Sequence, residues 1–85
     1  MSDLAAYRAL ERRHTQALAD WVESSPANTQ RMIDHNGRAS VHDYVSEYNY
    51  RFAIVACLAS DLGHPEADQW HEDYYIFADL EEVLD

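Results

Sequence analysis

The residues that interrupt a backbone most strongly fall at only three places in this chain: Pro26, Gly37 and the Gly63–Pro65 pair. Between those points apolar residues recur at three- and four-residue steps, the spacing that lines one face of an α-helix. An all-β chain needs turn residues about every 8–12 positions. Two Gly and two Pro in 85 residues do not supply them. The expectation is therefore all-α: a compact small helical bundle of three long helices plus one short helix. Residues 1–85 are read as a single acidic helical domain, since a chain of this length builds one core.

The segments follow from the punctuation. The first helix is predicted over Asp3–Glu23, with Leu4, Tyr7, Leu10, Ala17, Leu18 and Trp21 facing inward and Arg8, Arg12 and Arg13 off that stripe. Ser25 then caps a short helix whose first residue is Pro26, where a missing N–H costs nothing. Met32 and Ile33 are its apolar contribution, and Asn36-Gly37 stops it. A third helix is predicted over 40–62. Ser40-Val41-His42-Asp43 resembles a capping box with Asp in the acidic position. Val41, Tyr44, Val45, Tyr48, Phe52, Val55, Ala59 and Leu62 form its stripe. From Phe52 to Ala59 this segment is apolar all round, which predicts burial on most sides and a buried Cys57 thiol. The fourth helix is predicted over 65–83, with Ala67, Trp70, Tyr74, Phe77, Leu80 and Leu84 inward.

Charge is unevenly laid out. The net charge is −10, and every basic residue is arginine. Residues 1–51 hold all six arginines and seven acids, while residues 52–85 hold nine acids and no base. A field of that sign repels nucleic acid and attracts basic surfaces. Direct nucleic-acid binding, which needs a basic patch, is not expected. Neither is a membrane: no apolar run approaches the ~20 residues of a span, and the polar helix faces are acidic where surface-binding helices carry Lys and Arg. Cys57 is the sole cysteine, so no internal disulfide forms, and Met1-Ser2-Asp3-Leu4 lacks the basic-then-apolar order of a secretory signal. Together these predict a cytoplasmic location.

Three constellations bear on chemistry. His64, Asp68 and His71 stand at i, i+4 and i+7, a weak candidate set for Zn²⁺ or a similar ion. Surface histidines beside acids are the plainer reading, and no cofactor is expected. Catalysis is not expected either, because Glu72 and Asp73 beside Tyr74 and Tyr75 lack any accompanying nucleophile or phosphate loop. Among the tyrosines, Tyr44, Tyr48 and Tyr74 fall on the core stripes and Trp70 is read as core. Tyr50 and Tyr75 fall off the stripes, where exposed tyrosine suits a protein interface. Glu66, Asp68, Glu72, Asp73, Asp79, Glu81 and Glu82 point outward at several angles of the last helix, and acids one turn apart are ~5–6 Å apart.

These features favour a non-enzymatic binding protein. Asp68, Glu72, Asp73, Asp79, Glu81 and Glu82 would supply a field for a basic protein surface, with Tyr75 and Tyr50 as contact anchors. In size and charge, though in no specific motif, the chain is similar to small phage or mobile-element proteins that block basic nucleic-acid-binding machinery, including anti-CRISPR proteins and other DNA mimics. That similarity implies a decoy that occludes nucleic acid from a nucleic-acid-binding partner. Two alternatives stand beside it. One is an interaction module such as an antitoxin, immunity protein or assembly subunit, binding through apolar and tyrosine surface. The other is a small metal-binding protein using His64, Asp68 and His71. Monomer and homodimer both fit the aromatic content.

Overall fold

The computed structural model describes residues 3–76. Five helices follow one another: α1 (Asp3–Glu23), α2 (Pro26–Asn36), α3 (Val41–Ser46), α4 (Phe52–Leu62) and α5 (Ala67–Ile76). There is no strand among the described residues. The expected all-α small bundle is the architecture found. α1 packs against α2, α3 and α4, and α4 also meets α2 and α5.

Helix ends are closed by side chains from the next element. The Ser25 hydroxyl accepts the Asn28 N–H at the start of α2. From α2, Asn28 Nδ2 donates to the Trp21 carbonyl and Thr29 Oγ1 to the Val22 carbonyl, at 3.0 and 2.8 Å. Those are carbonyls of the last turn of α1, which have no partner inside their own helix. The α1–α2 corner is thereby fixed by hydrogen bonds as well as by packing. Gly37 ends α2 in the left-handed region, φ 78°, with its N–H on the Ile33 carbonyl. Gly63 does the same for α4, φ 79°, and the Gly63 and His64 amides reach back to the Ser60 and Ala59 carbonyls. This is the paired-bond geometry of a glycine-terminated helix.

The helix expected over 40–62 is instead two helices. α3 ends at Ser46, and α4 starts six residues later. Between them Asn49 and Tyr50 both take left-handed conformations, φ 59° and 55°. The Tyr50 N–H returns to the Val45 carbonyl, closing the end of α3. Arg51 is extended and gives α4 no side-chain cap. The donor left open at Phe52 is met from across the core: the Tyr7 hydroxyl of α1 accepts the Phe52 N–H at 3.1 Å. In a continuous helix that N–H would have bonded four residues back. A long-range bond thus replaces a local one, which an apolar stripe running unbroken through both segments does not reveal.

The core gathers Tyr7, Leu18, Val22, Met32, Val41, Val45, Phe52, Val55, Leu58, Leu62 and Trp70. Several expectations are corrected. Cys57 is exposed, and Ala53 and Ile54 are half-buried, because α4 meets its neighbours on fewer sides than its composition suggested. Tyr48, placed on the core stripe by spacing, is exposed, since it lies in the turn after α3. Leu4 and Ala17 of α1 and Ile33 of α2 are also exposed. Leu10, Trp21, Tyr44 and Tyr74 are half-buried against the core, and Trp70 is buried as expected. Phe77, Leu80 and Leu84 lie outside the described residues.

Tyr7→Phe keeps the ring and removes the acceptor from the first turn of α4. It should cost about 1–2 kcal/mol, read as a lower midpoint in chemical denaturation with an unchanged slope. The exposed Cys57 thiol should react fully with a disulfide reagent under native conditions; protection until the protein unfolds would contradict its placement.

Candidate functional site

Two surfaces carry candidate functional side chains, and both begin at an unexpected feature of α1. The inward face of this helix includes three buried polar residues: Glu11, 2% exposed, with His14 and Thr15. With Tyr7 and Leu18 they run Tyr7, Glu11, His14, Leu18, a spacing of four, three and four that marks one helical face. A search for apolar residues alone steps over them. The gap between Leu10 and Ala17, two turns without an apolar residue, was the available signal.

Each buried polar group is matched, as burial requires. Arg8 Nη1 lies 3.3 Å from both Glu11 carboxylate oxygens. The Arg8 guanidinium also sits 5.8 Å from the centre of the Tyr7 ring, within cation–π range. The Thr15 hydroxyl donates to the Glu11 carbonyl at 2.8 Å. His14 packs its ring against Phe52 and Trp70, and its Nε2 lies 3.2 Å from Asp73 Oδ2. Gln69 Nε2 donates to the other Asp73 oxygen. Asp73 therefore turns in toward α1, tying α5 to it, and is not among the outward acids. The His14–Asp73 contact thus bridges α1 and α5 over 59 residues of sequence.

The acids expected to act together are thus divided. Asp68 and Glu72 are exposed on α5 and make no ion pair or side-chain hydrogen bond among the described residues. Tyr75, 71% exposed, stands on the same line, since positions 68, 72 and 75 are i, i+4 and i+7. Ala67, Trp70 and Tyr74 occupy the opposite, inward side. Ile76 beside Tyr75 is exposed as well. In the sequence Asp79 and Glu82 continue the same spacing at i+11 and i+14, and with Glu81 they lie outside the described residues. Elsewhere Asp61 is engaged by His35 Nε2 at 3.1 Å, bridging α2 and α4, and Glu47 pairs with Arg38.

Tyr50 lies elsewhere. It lines a groove of about 530 Å³ between α1, α3 and the turn after α3. Arg8, Glu11, Arg12, Thr15 and Gln16 supply the α1 wall, and His42 stands across from them. Asn49 and Tyr50, the two left-handed residues, form its remaining edge. The His42 Nε2–H donates to Gln16 Oε1 at 3.2 Å, since the amide Nε2 of Gln16 is spent on Asp20. This groove sits in the arginine-bearing half of the chain, where Tyr50 was the one residue expected to make a contact.

The metal candidates do not assemble. Among the described residues no three His, Cys, Asp or Glu side chains are grouped as an ion would need. His64 is occupied differently: its Nδ1 accepts the Glu66 N–H at 3.0 Å, and its ring lies between Trp21 and Trp70. Burial among these rings pushes the His64 imidazole below its ordinary range; Glu66 opposes the shift and His14 adds to it.

No known protein-family model, curated protein or solved structure matches this chain. Among the described residues no helix is long and apolar enough to cross a membrane.

The direction of the His64 shift has a consequence for stability. A histidine whose folded pKa lies below its unfolded value, ~6.5, favours the folded state above that pH. Its contribution is lost as pH falls through the folded value. His64→Asn keeps an acceptor for the Glu66 amide and removes the titration. Between pH 7.5 and 5, the variant's melting temperature should fall less than that of the parent. Equal falls would mean that burial does not hold His64 neutral.

Proposed function

We propose that this chain is a non-enzymatic binding protein that presents one line of α5 to a basic protein surface. The observation that carries the reading is the Asp68, Glu72 and Tyr75 line: two acids without an ion pair among the described residues, beside a mostly exposed tyrosine. A helix bearing anchors at i, i+4 and i+7 is a recurrent way to dock into a groove. Long-range attraction from the acids raises the rate of encounter, and the aromatic ring slows dissociation. All arginines lie within residues 1–51, so none follows the acids of the last two helices in the sequence.

The partner we favour is a nucleic-acid-binding protein, whose basic groove this acidic surface would occupy in place of nucleic acid. Support for that choice is the sign and density of charge: nine acids and no base after residue 51. A second reading is favoured by Tyr75 and Ile76, adjacent and both mostly exposed. In that reading the same helix binds through apolar and aromatic contact, in the manner of an antitoxin, immunity protein or assembly subunit, and charge is secondary.

One experiment separates them. The immobilised chain and two variants, Asp68→Asn with Glu72→Gln and Tyr75→Ala, are exposed to lysate and washed with rising salt. The decoy reading expects nucleic-acid-binding proteins to be retained, to leave as salt rises and to be displaced by added duplex. The paired acid variant should bind them about tenfold more weakly, equivalent to ~1.4 kcal/mol. Salt-insensitive retention that fails only with Tyr75→Ala transfers the weight to the second reading. Equal retention on all three surfaces overturns both.

A further inference from the structure

The groove between α1, α3 and the following turn has no part in the α5 reading, and its construction differs from that of a solvated helix face. Its floor is closed: Glu11 and Thr15 are buried, Arg8 meets the Glu11 carboxylate, and the Thr15 hydroxyl is spent on a backbone carbonyl. Its rim is open. Arg12 is exposed, and its side chain makes no ion pair or hydrogen bond among the described residues. Arg8 uses Nη1 on Glu11, and its Nε and Nη2 donate to no described residue. Across the groove, the His42 Nε2–H donates to Gln16, which places the imidazole ring on the opposite wall. A volume of about 530 Å³ falls in the range of small-molecule sites.

The turn adds a separate observation. A left-handed backbone disfavours side chains with a Cβ, and Asn tolerates it where Tyr does not. Here Tyr50 adopts it directly after Asn49, without core burial to compensate, and the result is a tyrosine at the groove edge. Strain of this kind, held at the edge of a cavity, is characteristic of ligand sites.

We propose that this groove binds a small planar oxyanion, a ring carrying a phosphate or a carboxylate. The Arg12 guanidinium, with the open edge of Arg8, takes the oxyanion by paired N–H donors. The ring lies between Tyr50 and His42. Arg8 offsets the Glu11 carboxylate on the floor, so in a chain of net charge −10 the Arg12 guanidinium is left as the positive charge that draws an anion to this rim.

The test is a titration of the isotope-labelled full chain followed by backbone amide shifts. Adenosine 5′-monophosphate supplies a ring with phosphate and 4-hydroxybenzoate a ring with carboxylate, so the two arms distinguish the source of the oxyanion. Adenosine, inorganic phosphate and acetate supply each half alone. At least one complete probe should saturate with a Kd below about 1 mM, moving amides of residues 8–16 and 49–50. Each half alone should bind at least about tenfold more weakly. Arg12→Ala should weaken binding by at least about tenfold, and Tyr50→Gly, which suits the backbone there, should do the same. Both are exposed positions, and circular dichroism checks that each variant is folded. Arg13→Ala, which alters an exposed arginine outside the groove, should leave binding unchanged. No saturation by either complete probe, equal binding of inorganic phosphate, or wild-type affinity in Arg12→Ala overturns the proposal.

Discussion

The bond from the Phe52 amide to the Tyr7 hydroxyl holds together more of this structure than its length suggests. It lies in the core, where a backbone N–H without an acceptor is costly. By supplying that acceptor from α1, Tyr7 lets α4 begin at Phe52 without a side-chain cap of its own. The chain between α3 and α4 is then free to turn, and α3 separates from α4 to pack beside α1. The groove exists because of that separation: its far wall is α3, and its edge is the turn. The same Tyr7 ring lies beside Phe52 and beneath Arg8, joining the core to the arginine on the groove.

α1 is thus the organising element, and its buried polar face is what makes it so. Glu11 holds Arg8, Thr15 closes the groove floor, and His14 reaches Asp73 of α5. One helix therefore fixes a basic rim on one side and the orientation of an acidic helix on the other. Turning Asp73 inward aligns α5 so that Asp68, Glu72 and Tyr75 share the outward line. A continuous row of aromatic and imidazole rings, from Trp21 through His64, Trp70 and His14 to Phe52, fills the seam between these helices. Removing one partner of a buried hydrogen bond leaves the other polar group unmatched, so the seam and the groove floor are both sensitive to single substitutions.

The legibility of the sequence varied with the range of the interaction. α1 and α2 were readable nearly to their ends, because Ser25, Pro26 and Gly37 act within a few residues of where they stand. Trp70, Val55 and Leu62 were recognisable as core by spacing. The break after Ser46 was not, since the apolar stripe keeps its phase through Tyr48 and Phe52 while Asn49 and Tyr50 leave the helix. Cys57 was misplaced for a related reason: composition predicts burial only when neighbours exist on every side, and α4 lacks one there. Of the residues expected to share one surface, Asp68, Glu72 and Tyr75 are exposed on one side of α5, Asp73 turns inward to His14, and Tyr50 lies on a different surface.

What the sequence alone determined was local: the all-α class, most helix ends and the charge division between the two halves. Each follows from propensity, capping or periodicity acting within one or two helical turns. Tertiary structure decided where α3 ends and α4 begins, which acids stay free, and that the arginine half contains a groove. Those outcomes rest on partners far apart in the chain, Tyr7 with Phe52 and His14 with Asp73, and a hydrogen bond between such partners leaves no periodic trace in the order of residues.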